Sequence, residues 1–384
     1  MRNQMLNFVC LSLLVFIQIC EIPFVKSQAE AEPCTAPNGA LGYCLIYTEC
    51  ANLTHWRQQN NLRNSKDVEK MFCRTDKIHI CCNHTNPYFT DPDHLSHLNP
   101  QGLAILNSMP CARAQIARVS NGENAIPGQY PFMALLRYNV PKRPFLCGGS
   151  LITTRFVLTA GHCIRSDLIG VRLGEHNLST EIDCVGDTLC LPPAEDYVIE
   201  QKIKHPNYNK PRWTHDVALL KLDREVEFKV HIKPICLPIT PLVYEYSNLP
   251  TYYTIAGWGH TENTSNTEVL HHAFVPHQER SICQSIFGPR GVGITYDHIC
   301  AGGERKIDTC KGDSGGPLFA AVPFKEFLRI FQYGIGSFGL RGCGGENTTS
   351  AAYANLLQYM PWIADNIANA HVYLNIPGII FRNK

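Results

Sequence analysis

The chain has almost no net charge and no long run of one sign. Its 34 lysines and arginines stand against 33 aspartates and glutamates, a formal +1 at pH 7. That balance leaves no electrostatic footprint for a nucleic-acid backbone or an anionic membrane, so nucleic acid and membrane are not expected as partners and proteins are. After residue 17 no segment is apolar for long enough to span a bilayer. No cysteine or histidine cluster has zinc-finger spacing, which disfavours zinc as the use of the cysteines.

The 384 residues are 45% hydrophobic and 17% charged, enough for one full-sized globular domain and a smaller module. The first 29 residues read as a secretory signal. Met1-Arg2 precedes an apolar run from Phe8 to Ile17 that is short for a membrane anchor, and the small residues Ser27 and Ala29 suit cleavage near Ala29. A secreted, extracellular chain meets an oxidising compartment, where its 18 cysteines should form disulfides. Loss of Cys10 and Cys20 with the signal leaves an even number.

Six of the remainder (Cys34, Cys44, Cys50, Cys73, Cys81 and Cys82) fall within residues 33–82, among Gly and Pro and with few large apolar residues. Bridges rather than a core should hold this module. The alpha carbons of Cys81 and Cys82 are about 3.8 Å apart, below the usual disulfide span, so the two should bind different partners. Residues 83–118 hold a linker and activation region. Asn86-Pro87, Asp91-Pro92, Asn99-Pro100 and Met109-Pro110 make residues 83 to about 110 read as exposed and turn-rich. From Val119 short β-type runs alternate with Gly, Pro and Asn turns, the pattern of an all-β barrel domain over residues 119–370. Tyr359 to Asn369 reads as a C-terminal helix, with Trp362, Ile363 and Ile367 at helical spacing, and 371–384 as a tail.

Three local motifs occur within the barrel region: Thr159-Ala160-Gly161-His162-Cys163, then His215-Asp216-Val217-Ala218-Leu219-Leu220, then Gly312-Asp313-Ser314-Gly315-Gly316-Pro317. Together, and in the order His, Asp, Ser, they resemble the chymotrypsin-trypsin family. Each fragment alone would be unremarkable, since a His before Cys is usually structural and Asp-Val-Ala-Leu-Leu suits any buried strand. The resemblance implies a two-barrel fold and a triad of His162, Asp216 and Ser314. A serine hydroxyl is a poor nucleophile until a neighbouring imidazole takes its proton. His162 would be that base and later the acid toward the leaving amine, while Asp216 would fix its tautomer and stabilise the imidazolium. The backbone amides of Gly312 and Ser314 should face the developing oxyanion, each worth on the order of 3 kcal/mol. No cofactor is needed for this chemistry.

Asp308 stands six residues before Ser314, where trypsin-like members place the pocket-base carboxylate, which implies cleavage after Arg or Lys. Gly339 matches one pocket wall, and Ser337 to Gly339 should pair with the substrate backbone as an added strand. At the second wall Ala351 stands where such members usually have Gly, and its methyl should favour Arg over Lys. Arg118-Val119-Ser120-Asn121 resembles the activation junction of the family, with Ser120 and Asn121 departing from its usual residues. Cleavage after Arg118 would free the Val119 ammonium to pair with Asp313 and order the pocket. An activator that accepts Arg leaves autoactivation open.

The region from residue 119 has nine cysteines, and Cys111 makes the tenth. The family resemblance pairs Cys111 with Cys236, keeping the N-terminal module attached after cleavage, and pairs Cys147 with Cys163, Cys283 with Cys300 and Cys310 with Cys343. Cys184 and Cys190 remain to close a small loop. The six-cysteine module, linker and trypsin-like domain together resemble the clip-domain proteases of arthropods, whose pattern implies Cys34–Cys81, Cys44–Cys73 and Cys50–Cys82. Members of that family act in extracellular zymogen cascades of Toll signalling, melanisation or embryonic patterning. An upstream activating protease, a downstream zymogen substrate and a serpin-type inhibitor are the implied partners.

Glu175-His176-Asn177 opens a loop like the calcium loop of trypsin relatives, with Thr180 and Asp183 as further oxygen ligands. The insertion bearing Cys184 and Cys190 departs from that pattern and leaves Glu195 or Asp196 as substitutes. Glycosylation sequons occur at Asn52, Asn83, Asn177, Asn263 and Asn347. Two readings compete with a cascade protease. A non-catalytic binding cofactor is opposed by the intact Ser314, and a digestive trypsin leaves the clip module without a purpose.

Overall fold

The structure is a computed structural model that describes residues 33–35, 41–46, 79–83, 98–114, 123–186, 189–239, 250–259, 267–303, 314–324, 327–340 and 350–372. The chain divides into two compact units, Met1–Asp91 and Pro92–Lys384. In the first, strands β1 (Pro33–Thr35), β2 (Leu41–Ile46) and β3 (His79–Asn83) form an antiparallel sheet in which Cys44 lies opposite Cys81. Cys81 is buried and disulfide-bonded. Of the three pairings expected within this module, two involve Cys50 or Cys73, which lie outside the described residues.

In the second unit β4 (Glu123–Asn124) precedes two barrels. The first closes β5 (Met133–Tyr138), β6 (Phe145–Leu151), β7 (Phe156–Thr159), β8 (Leu168–Leu173), β11 (Glu195–Lys204) and β12 (Ala218–Leu222) in the order β11-β12-β7-β6-β5-β8. Between β8 and β11 a short hairpin, β9 (Cys184–Val185) and β10 (Leu189–Cys190), is closed by the Cys184–Cys190 disulfide. The second barrel runs β13 (Tyr252–Gly257), β16 (Pro317–Phe324), β17 (Phe327–Phe338), β18 (Ser350–Asn355), β15 (His298–Gly302), β14 (His271–Gln278). A β13–β14 pairing closes it, and β4 adds to the outer edge of β14.

The strands are legible in residue type. Phe156, Val157 and Leu158 are β-branched or bulky and buried on both faces, as a strand facing its own barrel and a packed neighbour must be. Tyr253, Val275, Ile299, Leu318, Tyr333 and Tyr353 fill the second barrel. Where the barrels meet, Gly148 N on β6 donates to Ser314 O (2.8 Å) and Ser150 Oγ donates to Gln332 Oε1 on β17 (2.7 Å). Helix α2 (Arg280–Phe287) follows β14, with Cys283 bridged to Cys300 on β15.

The linker corrects the expectation of an exposed, turn-rich stretch. Pro100–Ser108 is a helix, α1, packed on the C-terminal helix α3 (Met360–Val372). Asn99-Pro100, read as a turn signal, is a helix start: the Asn99 side chain accepts hydrogen bonds from Gln101 N and Gly102 N, and Pro100 takes the first turn where its missing N–H costs nothing. Leu98 and Leu106 are buried, with Leu103 and Ile105 packed against the same core. A Cβ at Gly102 would lie 2.1 Å from Ala364 O, so the close crossing requires glycine. Beyond the helix Cys111 is bridged to Cys236. The next residues join β17 and the chain before Cys236 by backbone hydrogen bonds: Ala112 N to Pro234 O (2.8 Å), Ile330 N to Ala112 O (3.1 Å) and Ala114 N to Leu328 O (2.9 Å). In α3, Ile363 and Ile367 are fully buried as their spacing predicts, Trp362 is half-buried against the same core, and Ala364 is buried beside them.

Candidate active site

His162 lies in a single 3-10 turn, Gly161–Cys163, directly after β7. Cys163 is bridged to Cys147 on β6, which pins the turn to the barrel wall. Asp216 lies just before β12 and is 1% exposed. Its Oδ1 accepts from His162 N at 2.8 Å, and its Oδ2 accepts from His162 Nδ1 at 2.8 Å and from Ser337 Oγ at 2.5 Å. A buried carboxylate without donors would carry a large desolvation cost, and three converging donors offset it. Their geometry assigns the Nδ1 proton of His162 to Asp216 and leaves the Nε2 lone pair free.

Ser314 opens the turn before β16 and is set by main-chain bonds rather than by its own hydroxyl. Gly148 N donates to its carbonyl, Gly315 N to Gly336 O (2.8 Å) and Gly336 N to Gly316 O (2.9 Å). Gly315 has φ +80°, and a Cβ there would lie 2.3 Å from Thr159 Oγ1, so the turn needs glycine on both counts. Cys163 Sγ lies 3.6 Å from His162 Nε2 and 3.6 Å from Ser314 O, which puts the two residues around one small space. Among the described residues no hydrogen bond links Ser314 Oγ to His162 Nε2. Such contacts are often long before substrate binds.

Ser314 also borders a small cavity with Ser337, Phe338, Gly339, Ala351 and Tyr353. Ala351 is 3% exposed, and a Cβ at Gly339 would meet its methyl at 3.5 Å, so the two wall residues named from the sequence face each other. Ser337, expected only on the substrate strand, also turns its hydroxyl to Asp216. Asp308, Gly312, Asp313, Arg118, Val119 and the Cys310–Cys343 pair lie outside the described residues.

Several neighbours escaped sequence reading. Trp213 lies edge-on to the His162 ring (centroids 5.6 Å) and 5.4 Å from Phe338. Trp213 and His215 both have left-handed backbone, φ +54° and +53°, a conformation that costs on the order of 1–3 kcal/mol for such residues. Two contacts hold them there. His298 Nε2 lies 3.0 Å from Trp213 O, and the His215 ring stacks on His205 at 4.8 Å. Burial lowers the His298 pKa, keeping a neutral imidazole whose Nε2–H donates while Nδ1 accepts from Thr295 N. The one available sequence signal was Trp213 three residues before Asp216.

The expected calcium ligands do not form a calcium cradle. Arg172 Nη1 holds Glu175 Oε2 at 3.2 Å and its Nε holds Asp196 Oδ1 at 2.8 Å, placing a guanidinium between carboxylates. Burial pushes the Glu175 carboxyl above its usual range. Asp183 accepts from Thr180 Oγ1 (2.7 Å) and Asn177 N (3.3 Å), Asn177 Oδ1 accepts from Ser179 Oγ (2.8 Å), and Glu195 is taken by Lys229 (2.5 Å) and Tyr197. Each of these side chains already accepts from an internal donor, an arrangement that does not favour a calcium ion here. Of the sequons, Asn177 is half-buried and spends its side-chain oxygen within this loop; Asn83 ends β3; Asn52, Asn263 and Asn347 lie outside the described residues.

Residues 119–363 match the trypsin family, and residues 34–82 match the regulatory CLIP domain of proteinases. The chain is 36% identical to "Serine protease grass" of Drosophila melanogaster over 88% of its own length and 92% of that protein's. It is 33% identical to "Phenoloxidase-activating factor 1" of Holotrichia diomphalia, over 89% and 94%. Among solved structures it resembles the crystal structure of the Drosophila Grass clip serine protease of the Toll pathway, with TM-score 0.64, 35% identity, and coverage of 88% and 98%.

Proposed function

The chain belongs to the clip-domain serine proteases of the trypsin family, and from that premise we propose that it is a secreted zymogen whose active form cleaves a downstream precursor after Arg or Lys. It is a serine endopeptidase, and the observation that carries the mechanism is the bonded chain Ser337–Asp216–His162 beside Ser314. Ser314 Oγ attacks the scissile carbonyl as His162 Nε2 takes its proton. Asp216 holds Nδ1–H and stabilises the imidazolium. The tetrahedral oxyanion is held by the amides of Gly312 and Ser314. His162 then gives its proton to the leaving amine, and water, deprotonated by the same nitrogen, releases the acyl group from Ser314.

Asp308 at the base of the pocket receives the cationic side chain, and a neutral one leaves that carboxylate unpaired. The buried methyl of Ala351 narrows the wall opposite Gly339 and favours the planar guanidinium over the ammonium of Lys. Ala351→Gly is expected to lower the Arg-to-Lys ratio of kcat/KM several-fold, read with matched Arg and Lys amides; an unchanged or higher ratio removes Ala351 from specificity. Calcium has no role in this reading.

Cleavage after Arg118 frees the Val119 ammonium to pair with Asp313, which orders the oxyanion hole and pocket. Relatives whose names refer to the Toll pathway, phenoloxidase activation and melanisation support a place in such a cascade, with an upstream protease, a downstream zymogen and a serpin-type inhibitor as partners. No described helix is long and apolar enough to cross a membrane, and the signal-like N-terminus supports secretion. The test is hydrolysis of an Arg peptide amide before and after cleavage at Arg118, with Ser314→Ala as control. Activity that appears only after cleavage and is absent from the variant is expected. Inactivity after verified cleavage favours a binding cofactor.

A further inference from the structure

The rim of the first barrel next to His162 carries far more positive charge than a chain of net +1 would suggest. Lys142 and Arg143 are exposed in the β5–β6 turn, Arg165 is exposed just past the His162 turn, and Lys202 (exposed) and Lys204 (half-buried) lie on β11. Hydrogen bonds bind these three pieces into one surface. Tyr138 N donates to Pro144 O (2.6 Å), Tyr138 Oη to Cys163 O (2.8 Å) and Asn139 N to Asp167 O (2.7 Å), which joins the β5–β6 turn to the segment after His162. Lys202 Nζ lies 3.5 Å from Arg165 O, and Lys204 Nζ lies 3.4 Å from Ile164 O. Asp167 in this surface is held by Arg165 at 2.6 and 2.9 Å, and Glu200, two positions before Lys202 on β11, is held by Arg155 and Lys221. Lys142, Arg143, Lys202 and Lys204 make no salt bridge among the described residues, and Lys202 adds only its charge to the surroundings of Asp167.

The chemistry says which part of a substrate passes here. The acyl half pairs with Ser337 to Gly339 on one side of Ser314. The leaving amine takes its proton from His162 Nε2, so the departing half must run over the opposite side, past the Cys147–Cys163 bridge and the His162 turn. That path leads to the basic rim.

We propose that this rim selects protein substrates with acidic residues a few positions after the scissile bond. The inference rests on the peptidase reading above. Exposed ion pairs are individually weak, but several acting together on a substrate held at the cleft give a preference of about tenfold. Salt should erode it, because the groups are solvated.

The experiment uses the activated full chain and two peptides identical through the scissile Arg, one followed by an acidic and one by a neutral segment. An Arg amide without a leaving peptide is the control. At low salt kcat/KM for the acidic peptide should exceed that for the neutral one about tenfold, and the ratio should fall toward unity at high salt and in the triple variant Lys142→Glu, Arg143→Glu, Lys202→Glu. Turnover of the amide should be unchanged by the triple variant. A low-salt ratio within about twofold overturns the inference while the amide is still turned over. Loss of amide hydrolysis in the parent enzyme refutes the peptidase reading instead. Retention on a sulfated polysaccharide without an acidic-peptide preference assigns the rim to a different ligand and also overturns it.

Discussion

Asp216→Asn is expected to lower kcat of the activated enzyme by about four orders of magnitude, with KM nearly unchanged. The two carboxylate oxygens of Asp216 receive three donors: His162 N, His162 Nδ1 and Ser337 Oγ. Asparagine keeps one acceptor oxygen and replaces the other with an amide donor. If that amide faces His162, Nδ1 must become the acceptor, the proton moves to Nε2, and the imidazole can no longer take the proton of Ser314. If it turns the other way, it opposes the amide of His162. The fold should survive because shape and volume are retained, so the loss falls on kcat and not on unfolding temperature. Steady-state kinetics on an Arg amide alongside a melt would check this. A loss of less than tenfold with an intact melt would mean that Asp216 does not set the tautomer.

Compared with a chain begun at Pro92 and cleaved after Arg118, which keeps the linker through the Cys111–Cys236 bridge, a chain begun at Val119, without the linker, should be less stable by about 5 kcal/mol. Such a chain uncovers the site of Leu98 and Leu106, each worth roughly 1.5–3 kcal/mol when buried, together with the partly buried Leu103 and Ile105. It also loses Cys111 and with it the bridge to Cys236, which closes a loop spanning 125 positions. The entropy released by the missing residues offsets part of this. For a domain of this size the difference amounts to a fall in unfolding midpoint of about 10–20 °C. Thermal denaturation of the two chains measures it, and midpoints within a few degrees of each other would show that the linker helix contributes little.

The site was legible where chemistry confines itself to short local motifs. The segments around His162, Asp216 and Ser314 need particular residue types next to one another, so a single sequence displays them. The contacts that hold those residues are tertiary and left no local trace. Ser337 is 121 positions from the carboxylate it bonds, and His298 is 85 from the carbonyl it approaches. The linker was misread for a different reason. Asn99-Pro100 is ambiguous between a turn and a helix start, and four apolar residues spaced across Leu98 to Leu106 decide the matter only when there is a surface to receive them. The C-terminal helix supplies that surface, and its own spacing was readable because Ile363 and Ile367 bury the same face of one helix. The calcium expectation followed a loop pattern, whereas Arg172 lies three positions before Glu175 and close enough to claim it.

The joint between the barrels has a consequence for how such a protein can change over generations. His162 and Asp216 belong to one barrel and Ser314 and Ser337 to the other, with Gly148 and Ser314 joined across the boundary. Each barrel closes on itself and has the outline of an exchangeable module. Yet recombination that draws the two halves from different ancestors inherits two sound barrels and an unmatched seam, where the glycine at 148, the glycine at 315 and the hydroxyl at 337 answer to residues in the other half. Lineages can therefore vary the loops of either half freely, while the two halves of the catalytic apparatus are held to a shared descent.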